Sequence, residues 1–537
     1  MKKILISLLI SLAATAAIRA ELVLTPERKL AFAEQIIAGY YVDTVDTTRI
    51  VEDAIRAMLK VLDPHSTYSD AAETRELTEP LAGNFSGIGI RFQMVRDTVY
   101  VIESIPGGPS DKVGIVPGDK IIACNDSVIS GVKKVNSDIL KVLRGPKGSL
   151  ARLSVVRGLS PQPITFDVRR DDIPIYSVDA YYMVNDSVGY ISAARFAAST
   201  AEEVAKAMKS LRSKGMRHLM LDLSDNGGGY LKSAIDLAGM FLRKGDMVVY
   251  TESSKAGNAD YRLPADGNFL DGRLVVMVNQ YSASASEILS GAIQDNDRGV
   301  IVGRRTFGKG LVQRPFPFPD GSMIRLTVSR YFTPAGRCIQ KPYTSGDVEE
   351  YGRDMLHRLE NGEFMSADSV QFADSLLCRT LRLQRPVYGG GGIMPDCFVP
   401  LDTTLFSTYY RDLMAKGIIS LWSVDYVDAH RKELSKAYPT EDSFVESFDM
   451  SDALLSQLTD KATAEGVKFD EEGYKQSLPL ISAIAKGLIG RDLYEQSTYR
   501  RIVNPFNTSF ASALEIITSP ERYSSYLTAP SCRDITP

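Results

Sequence analysis

The chain has 537 residues, room for three or four domains at about 150 residues each. Hydrophobic residues make up 44 % and charged residues 24 %, which excludes a disordered chain, a collagen-like repeat and a small disulfide scaffold. A formal charge of −4 leaves no electrostatic footprint for nucleic acid.

Lys2 and Lys3 precede a largely apolar run, Ile4 to Ile18, that ends at Arg19-Ala20. It falls short of the ~20 apolar residues of a membrane span and reads as a Sec-type signal peptide, residues 1–20, removed after Ala20. Without it, 59 basic residues face 66 acidic ones, a charge of −7. The expected location is the periplasm or cell envelope. Five cysteines are scattered, with no C-x-x-C, no metal-ligand spacing and no pairing legible from position.

Residues 21–82 read as helical. Thr25-Pro26 is a cap and first-turn proline, Ile50, Val51, Ala54, Ile55, Met58 and Leu62 recur at helical spacing, and Asp63-Pro64 ends the run. From 83 to 170 short strands dominate: Ile88, Ile90 and Phe92 alternate with Gly89 and Arg91, and Ile139, Leu140 and Leu143 mark one short helix. Within 171–402 strands and helices alternate. Leu219–Leu223 leads to Asn226–Gly229 and a helix, Leu274–Val278 to a helix from about Ala283, and Val300–Val302 follows. This is an α/β core, interrupted by a charged, helix-prone stretch at about 341–388. Residues 403–537 favour helices.

Much familiar chemistry is absent. The chain has no G-x-S-x-G, no H-E-x-x-H and only four histidines, His65, His218, His357 and His430. Gly303–Lys309 mimics a phosphate loop, but Gly310 stands where Ser or Thr should hold magnesium and no helix follows. The informative segment is Ser282-Ala283-Ser284-Ala285-Ser286-Glu287, between a strand and a helix. Ser284 with Glu287 makes a capping box, which explains one serine but not three interleaved with alanines. First-turn amides and the helix dipole there suit an oxyanion. A nucleophilic serine needs a base. With few histidines, Lys309 between two glycines is a candidate if burial lowers its pKa from ~10.4 to ~7–8, and an exposed turn lysine otherwise. On an extended segment Gln313 shares its side and could orient it without adding charge.

Ser282–Glu287, Gln294-Asp295, Thr306–Gly310 and Gln313 together resemble the carboxyl-terminal processing (tail-specific) serine proteases. So do Leu62–Tyr68, Phe85–Ile90, Asp222-Leu223 with Asn226–Gly229, and Tyr331–Arg337. In order, these cover roughly residues 60–340, plus 392–400. The resemblance implies a crotonase/ClpP-like α/β protease core (171–402) in an α/β multidomain chain, with an inserted β-rich PDZ domain (83–170) and helical N- and C-terminal regions. It implies Ser284 as nucleophile, Lys309 as base, Gln313 as the residue positioning the lysine, and the amides of Gly228 and Ala285 as oxyanion hole. Asp295 is expected to be structural. Peptide binding is implied for Ser86, Gly87, Ile88, Gly89 and Ile90, with Ile139 and Leu143 facing the peptide strand. The implied partners are proteins or peptides with free C-termini, with room for an adaptor protein and a homodimer. No metal or organic cofactor is expected. A catalytically silent PDZ adaptor is the rival reading. Three departures stand out: Gly227 where many relatives carry proline, the segment 341–388, which the shortest relatives lack, and the C-terminal 130 or so residues, which read as an addition, a dimerisation or substrate-gating domain.

Overall fold

The computed structural model describes residues 25–95, 97–105, 107–158 and 162–528. The leader and Cys532 lie outside them. The described residues form two compact units, one of residues 25–71, 314–327 and 343–351, the other of 72–313, 328–342 and 352–528.

In the smaller unit Thr25 caps the helix Pro26–Tyr40 and Asp46 caps Thr47–Lys60. The first helix buries no residue and leaves Leu30, Phe32, Ile36 and Tyr40 exposed. Asp63 organises the turn after the second helix. Its carboxylate accepts from the N–H groups of His65 and Ser66 (2.8 and 3.0 Å) and from the Thr327 hydroxyl (3.0 Å). The strand Thr67–Ser69 then pairs antiparallel with Met323–Arg325.

The larger unit holds a six-stranded sheet in the order Val178–Met183, Val188–Ala193, His218–Asp222, Leu274–Val278, Val300–Gly303, Cys397–Phe398. The first pair is antiparallel and the rest are parallel. Parallel strands need cover on both faces, and their side chains are accordingly all buried from Leu274 to Val278. The helices Thr200–Ser213, Leu231–Ala238 and Ala285–Asp295 pack on one face through Val204, Leu237 and Leu289. The opposite face, with Met220, Val275, Met277 and Val302, is covered by Phe510, Ala513, Ile516 and Ile517 of the helix Thr508–Thr518 and by Tyr523. The last helices are thus part of the sheet's own core, whereas Tyr409–Val503 form a separate helical cluster. Ending the chain before Asn504 is therefore expected to expose that face and to yield insoluble protein, read by soluble expression and circular dichroism.

Residues 90–169 form a second, antiparallel sheet in the order Ile90–Val95, Thr98–Ser104, Lys120–Cys124, Leu150–Val156, Ile164–Arg169. The helix Asn136–Leu143 packs on it over Val99, Ile121 and Leu153. Ile90–Val95 is an edge strand, paired on one side only among the described residues.

Candidate active site

Ser284 sits where the buried strand Leu274–Val278 turns into the helix Ala285–Asp295. Its backbone is at φ 56°, ψ −111°, a region that costs a non-glycine residue of order 1–3 kcal/mol. The chain thus builds a strained strand–turn–helix elbow around a serine without the G-x-S-x-G sequence that marks such elbows elsewhere. The flanking serines serve structure. Ser282 Oγ donates to Leu223 O (2.8 Å) and Ser286 Oγ to Asn226 O (2.8 Å), tying the turn to the segment after the strand His218–Asp222. The geometry separates the three serines that spacing alone did not.

Glu287 does far more than cap the helix. Its carboxylate accepts from the N–H of Ser284 (2.7 Å), Gly308 (2.7 Å) and Lys309 (2.9 Å) and from the hydroxyl of Thr306 (2.6 Å). One oxygen, Oε2, takes both the Ser284 and the Lys309 amide. On the carbonyl side the buried Tyr331 hydroxyl contacts Ser284 O (3.1 Å) and Lys309 O. Residues 25 positions apart are therefore fastened to each other through both their N–H and C=O groups. Complete burial raises the Glu287 carboxyl, four donors pull it back down, and the balance stands at about 7. Gln313, two residues past buried Leu311 on the same strand, donates to Leu311 O (3.2 Å).

Gly228 lies against the turn at φ 99°. A Cβ there would stand 2.8 Å from Ser284 Cβ and 3.0 Å from Ala285 N, so only glycine fits. Its N–H donates to Asn226 Oδ1 (2.9 Å); of the two expected oxyanion donors, Gly228 is thus engaged within the protein. Asn226 itself is fully buried and donates to Ala193 O (2.7 Å). Three of the four histidines are engaged elsewhere. His65 Nε2 bonds Tyr351 Oη (2.8 Å), His218 Nδ1 accepts from Arg273 N (3.2 Å) with its pKa lowered by burial, and His430 Nδ1 faces Tyr426 O (3.0 Å). Among the described residues no cluster of His, Cys, Asp or Glu could hold a metal ion.

Four family models match parts of the chain. Residues 187–350 match peptidase family S41, residues 86–169 a PDZ domain, residues 13–74 the N-terminal domain of the activating protease CtpB, and residues 409–495 a family of unknown function. A carboxy-terminal processing protease, CtpB of Bacillus subtilis strain 168, is 33 % identical over 351 residues, covering 65 % of this chain and 71 % of the relative. The chain belongs to the carboxy-terminal processing proteases. A probable CtpA-like serine protease of Staphylococcus epidermidis is 33 % identical over 60 % of this chain, which spans 65 % of that relative's length, just under two thirds. The solved photosystem II D1 C-terminal processing protease is 30 % identical, covering 59 % of this chain and 86 % of the other, with a TM-score of 0.33.

In this carboxy-terminal processing protease the expected peptide-binding residues fall into two groups. Ser86 and Gly87 lie on a short strand, Asn84–Gly87, paired with Asp171–Pro174 rather than in an open loop. Ser86 Oγ is nonetheless buried without a hydrogen-bond partner. Gly89 follows at φ 76°, and Ile90 opens the edge strand. Ile88, Ile139 and Leu143, at 2 %, 0 % and 3 % exposure, are core residues of the module. Ile139 and Leu143, four residues apart, form the stripe that holds their helix to the sheet.

Asp295 joins Arg337 in an ion pair in which both side chains are wholly buried, and accepts from Ala335 N (2.9 Å). Those contacts fix the turn after Tyr331 and suit a structural role. The site residues that sequence reasoning missed are Glu287, beyond its cap, and Tyr331. Tyr331 lay within a matched motif, but only the fold brings its hydroxyl to the turn.

Proposed function

We propose that this chain is an exported serine endopeptidase that captures free, apolar C-terminal tails through its PDZ domain and cuts peptide bonds with Ser284 and Lys309. The observation that carries the reading is the strained Ser284 elbow, with the Lys309 amide on the same Glu287 oxygen as the Ser284 amide. Ser284 Oγ attacks the peptide carbonyl while Lys309 takes its proton. The tetrahedral oxyanion forms beside Ala285 N–H, the first amide of the helix. Its collapse breaks the C–N bond, Lys309 returns the proton to the departing amine, and water then hydrolyses the ester. Gln313 would orient the lysine. A peptide added beside Ile90–Val95 would bring its carboxylate to residues 86–89, where the unpartnered Ser86 hydroxyl lacks an acceptor or donor. Export rests on the basic, apolar leader.

The Gly228 amide, turned to Asn226, favours one second reading, a form that binds tails without cutting them. The test is degradation, by residues 21–537, of an unstructured protein ending in an apolar free C-terminus, beside its C-terminally amidated twin. Cleavage that weakens on amidation and is absent in Ser284→Ala supports the protease. Tail binding without cleavage moves the silent adaptor ahead. Cleavage equal on both substrates removes the tail-reading role.

A further inference from the structure

The segment 341–388 interrupts the protease core, and its first part, around Lys341, Asp354, Arg358 and Glu363, contacts the loop that precedes Lys309. Arg358, on the helix Val348–Glu360, is 3 % exposed on a helix that is otherwise largely polar. Its guanidinium donates to two consecutive main-chain carbonyls, Arg305 O (2.8 Å) and Thr306 O (3.1 Å), and to Glu363 Oε2 (3.0 Å). Burial lowers its pKa to about 10, with Arg305 adding to the fall and Glu363 opposing it. A rigid planar fork placed on adjacent carbonyls shapes a loop rather than merely attaching a helix.

The same loop is gripped at each following residue. Arg305 pairs with Glu363 and donates to Gly391 O (2.7 Å). The Thr306 hydroxyl accepts from Ile393 N (2.6 Å) and donates to Glu287. The Lys341 ammonium lies 4.2 Å from the centre of the Phe307 ring and pairs with Asp354 (2.8 Å), while Lys341 N donates to Gly308 O (2.9 Å). Gly308 and Lys309 then donate to Glu287. A continuous path of polar contacts therefore runs from the inserted helix to the Ser284 and Lys309 backbones.

We propose that Arg358 and Asp354 of the inserted segment are positioning residues for the reaction, holding the loop 305–308 so that Lys309 faces Ser284 in a water-poor setting. This rests on the Ser284–Lys309 reading. Neither residue touches substrate; both act through the loop. Where the loop relaxes, Lys309 gains water, its ammonium form is favoured, and more alkali is needed to make it a base.

The test compares kcat, KM and the pH profile of kcat for the wild type, Arg358→Met, Arg358→Lys, Asp354→Asn and Lys309→Ala on the free-tailed substrate. Arg358→Met is expected to lower kcat about 10- to 100-fold with KM changed less than about threefold, in the range of lost positioning contacts. The acid limb of kcat should move to higher pH by about one unit. Arg358→Lys, which cannot fork across two carbonyls, should recover part of the rate. Asp354→Asn, at a side chain 29 % exposed, should lower kcat about threefold and shift the limb the same way, and it decides the matter if the Arg358 variants do not fold. Lower thermal stability with kcat and the limb unchanged overturns the proposal and leaves the insertion as scaffolding. Activity surviving in Lys309→Ala overturns instead the dyad on which it rests.

Discussion

Alanine at Ser284 or at Lys309 is expected to lower kcat by about four to six orders of magnitude, and the double variant is expected to be no worse than either single one. In the proposed mechanism the two groups act on one proton, so losing either removes the same step. Arginine at 309 sharpens the result. It keeps the positive charge and much of the length, but a guanidinium stays protonated in proteins and cannot accept the serine proton. Lys309→Arg should therefore be as slow as Lys309→Ala. Substantial turnover in Lys309→Arg would mean that the lysine serves as a charge and that another group is the base. Steady-state rates on the free-tailed substrate measure this, with circular dichroism to show that each variant is folded.

The second large effect belongs to Glu287. Alanine there strands three backbone N–H groups and one hydroxyl in a fully buried site and is expected to remove about 3–5 kcal/mol of stability. Glutamine keeps the size but turns an NH2 towards donors. It should fold less stably and lose about 10²–10³ in kcat, the range of one misplaced preorganised group. The pH dependence has a definite sign. The folded-state pKa, about 7, lies above the ordinary 4.5, so between the two the folded chain holds a proton that the unfolded chain has released. The contribution of this group to stability is greatest below about 4.5 and falls, by roughly 3 kcal/mol, as pH rises to about 7. Activity runs the other way, because a protonated Glu287 turns a hydrogen towards its donors and loosens the Ser284 and Lys309 backbones. Urea midpoints and kcat measured at pH 5 and pH 8 should move in opposite directions. Glu287→Gln should flatten the change in midpoint.

The family and its protease-plus-PDZ architecture were legible because short motifs recurred in order along 280 residues, each tied to a turn or a chain crossing. Ser284 with Glu287 was legible as a helix cap, since a cap is a contact over three residues. That the same carboxylate reaches Thr306, Gly308 and Lys309 was not, because those contacts exist only once the parallel strands Leu274–Val278 and Val300–Gly303 lie side by side. Ile139 and Leu143 of the helix Asn136–Leu143 were expected to face a bound peptide; that a short helix on a small sheet also needs its best apolar stripe for attachment, which leaves both inside, shows only in the fold. The final helices were read as an addition, and no local pattern announces that Phe510 and Ile516 close the far face of a sheet that begins three hundred residues earlier. Arg358 looked like one more charge on a polar helix until its two carbonyl partners were visible.

The backbone at Ser284 also bears on how such a chain decays. A residue held at positive φ keeps its strain in every side chain except glycine. While hydrolysis is under selection, the hydroxyl outweighs that burden. Once selection is lifted, and with Ser284 as the proposed nucleophile, glycine at 284 would end cleavage and relax the turn, whereas alanine would end cleavage and keep the strain. Descendants retained only to bind tails are thus expected to drift to glycine at this position. A glycine there would mark a sibling that kept the fold and gave up the chemistry.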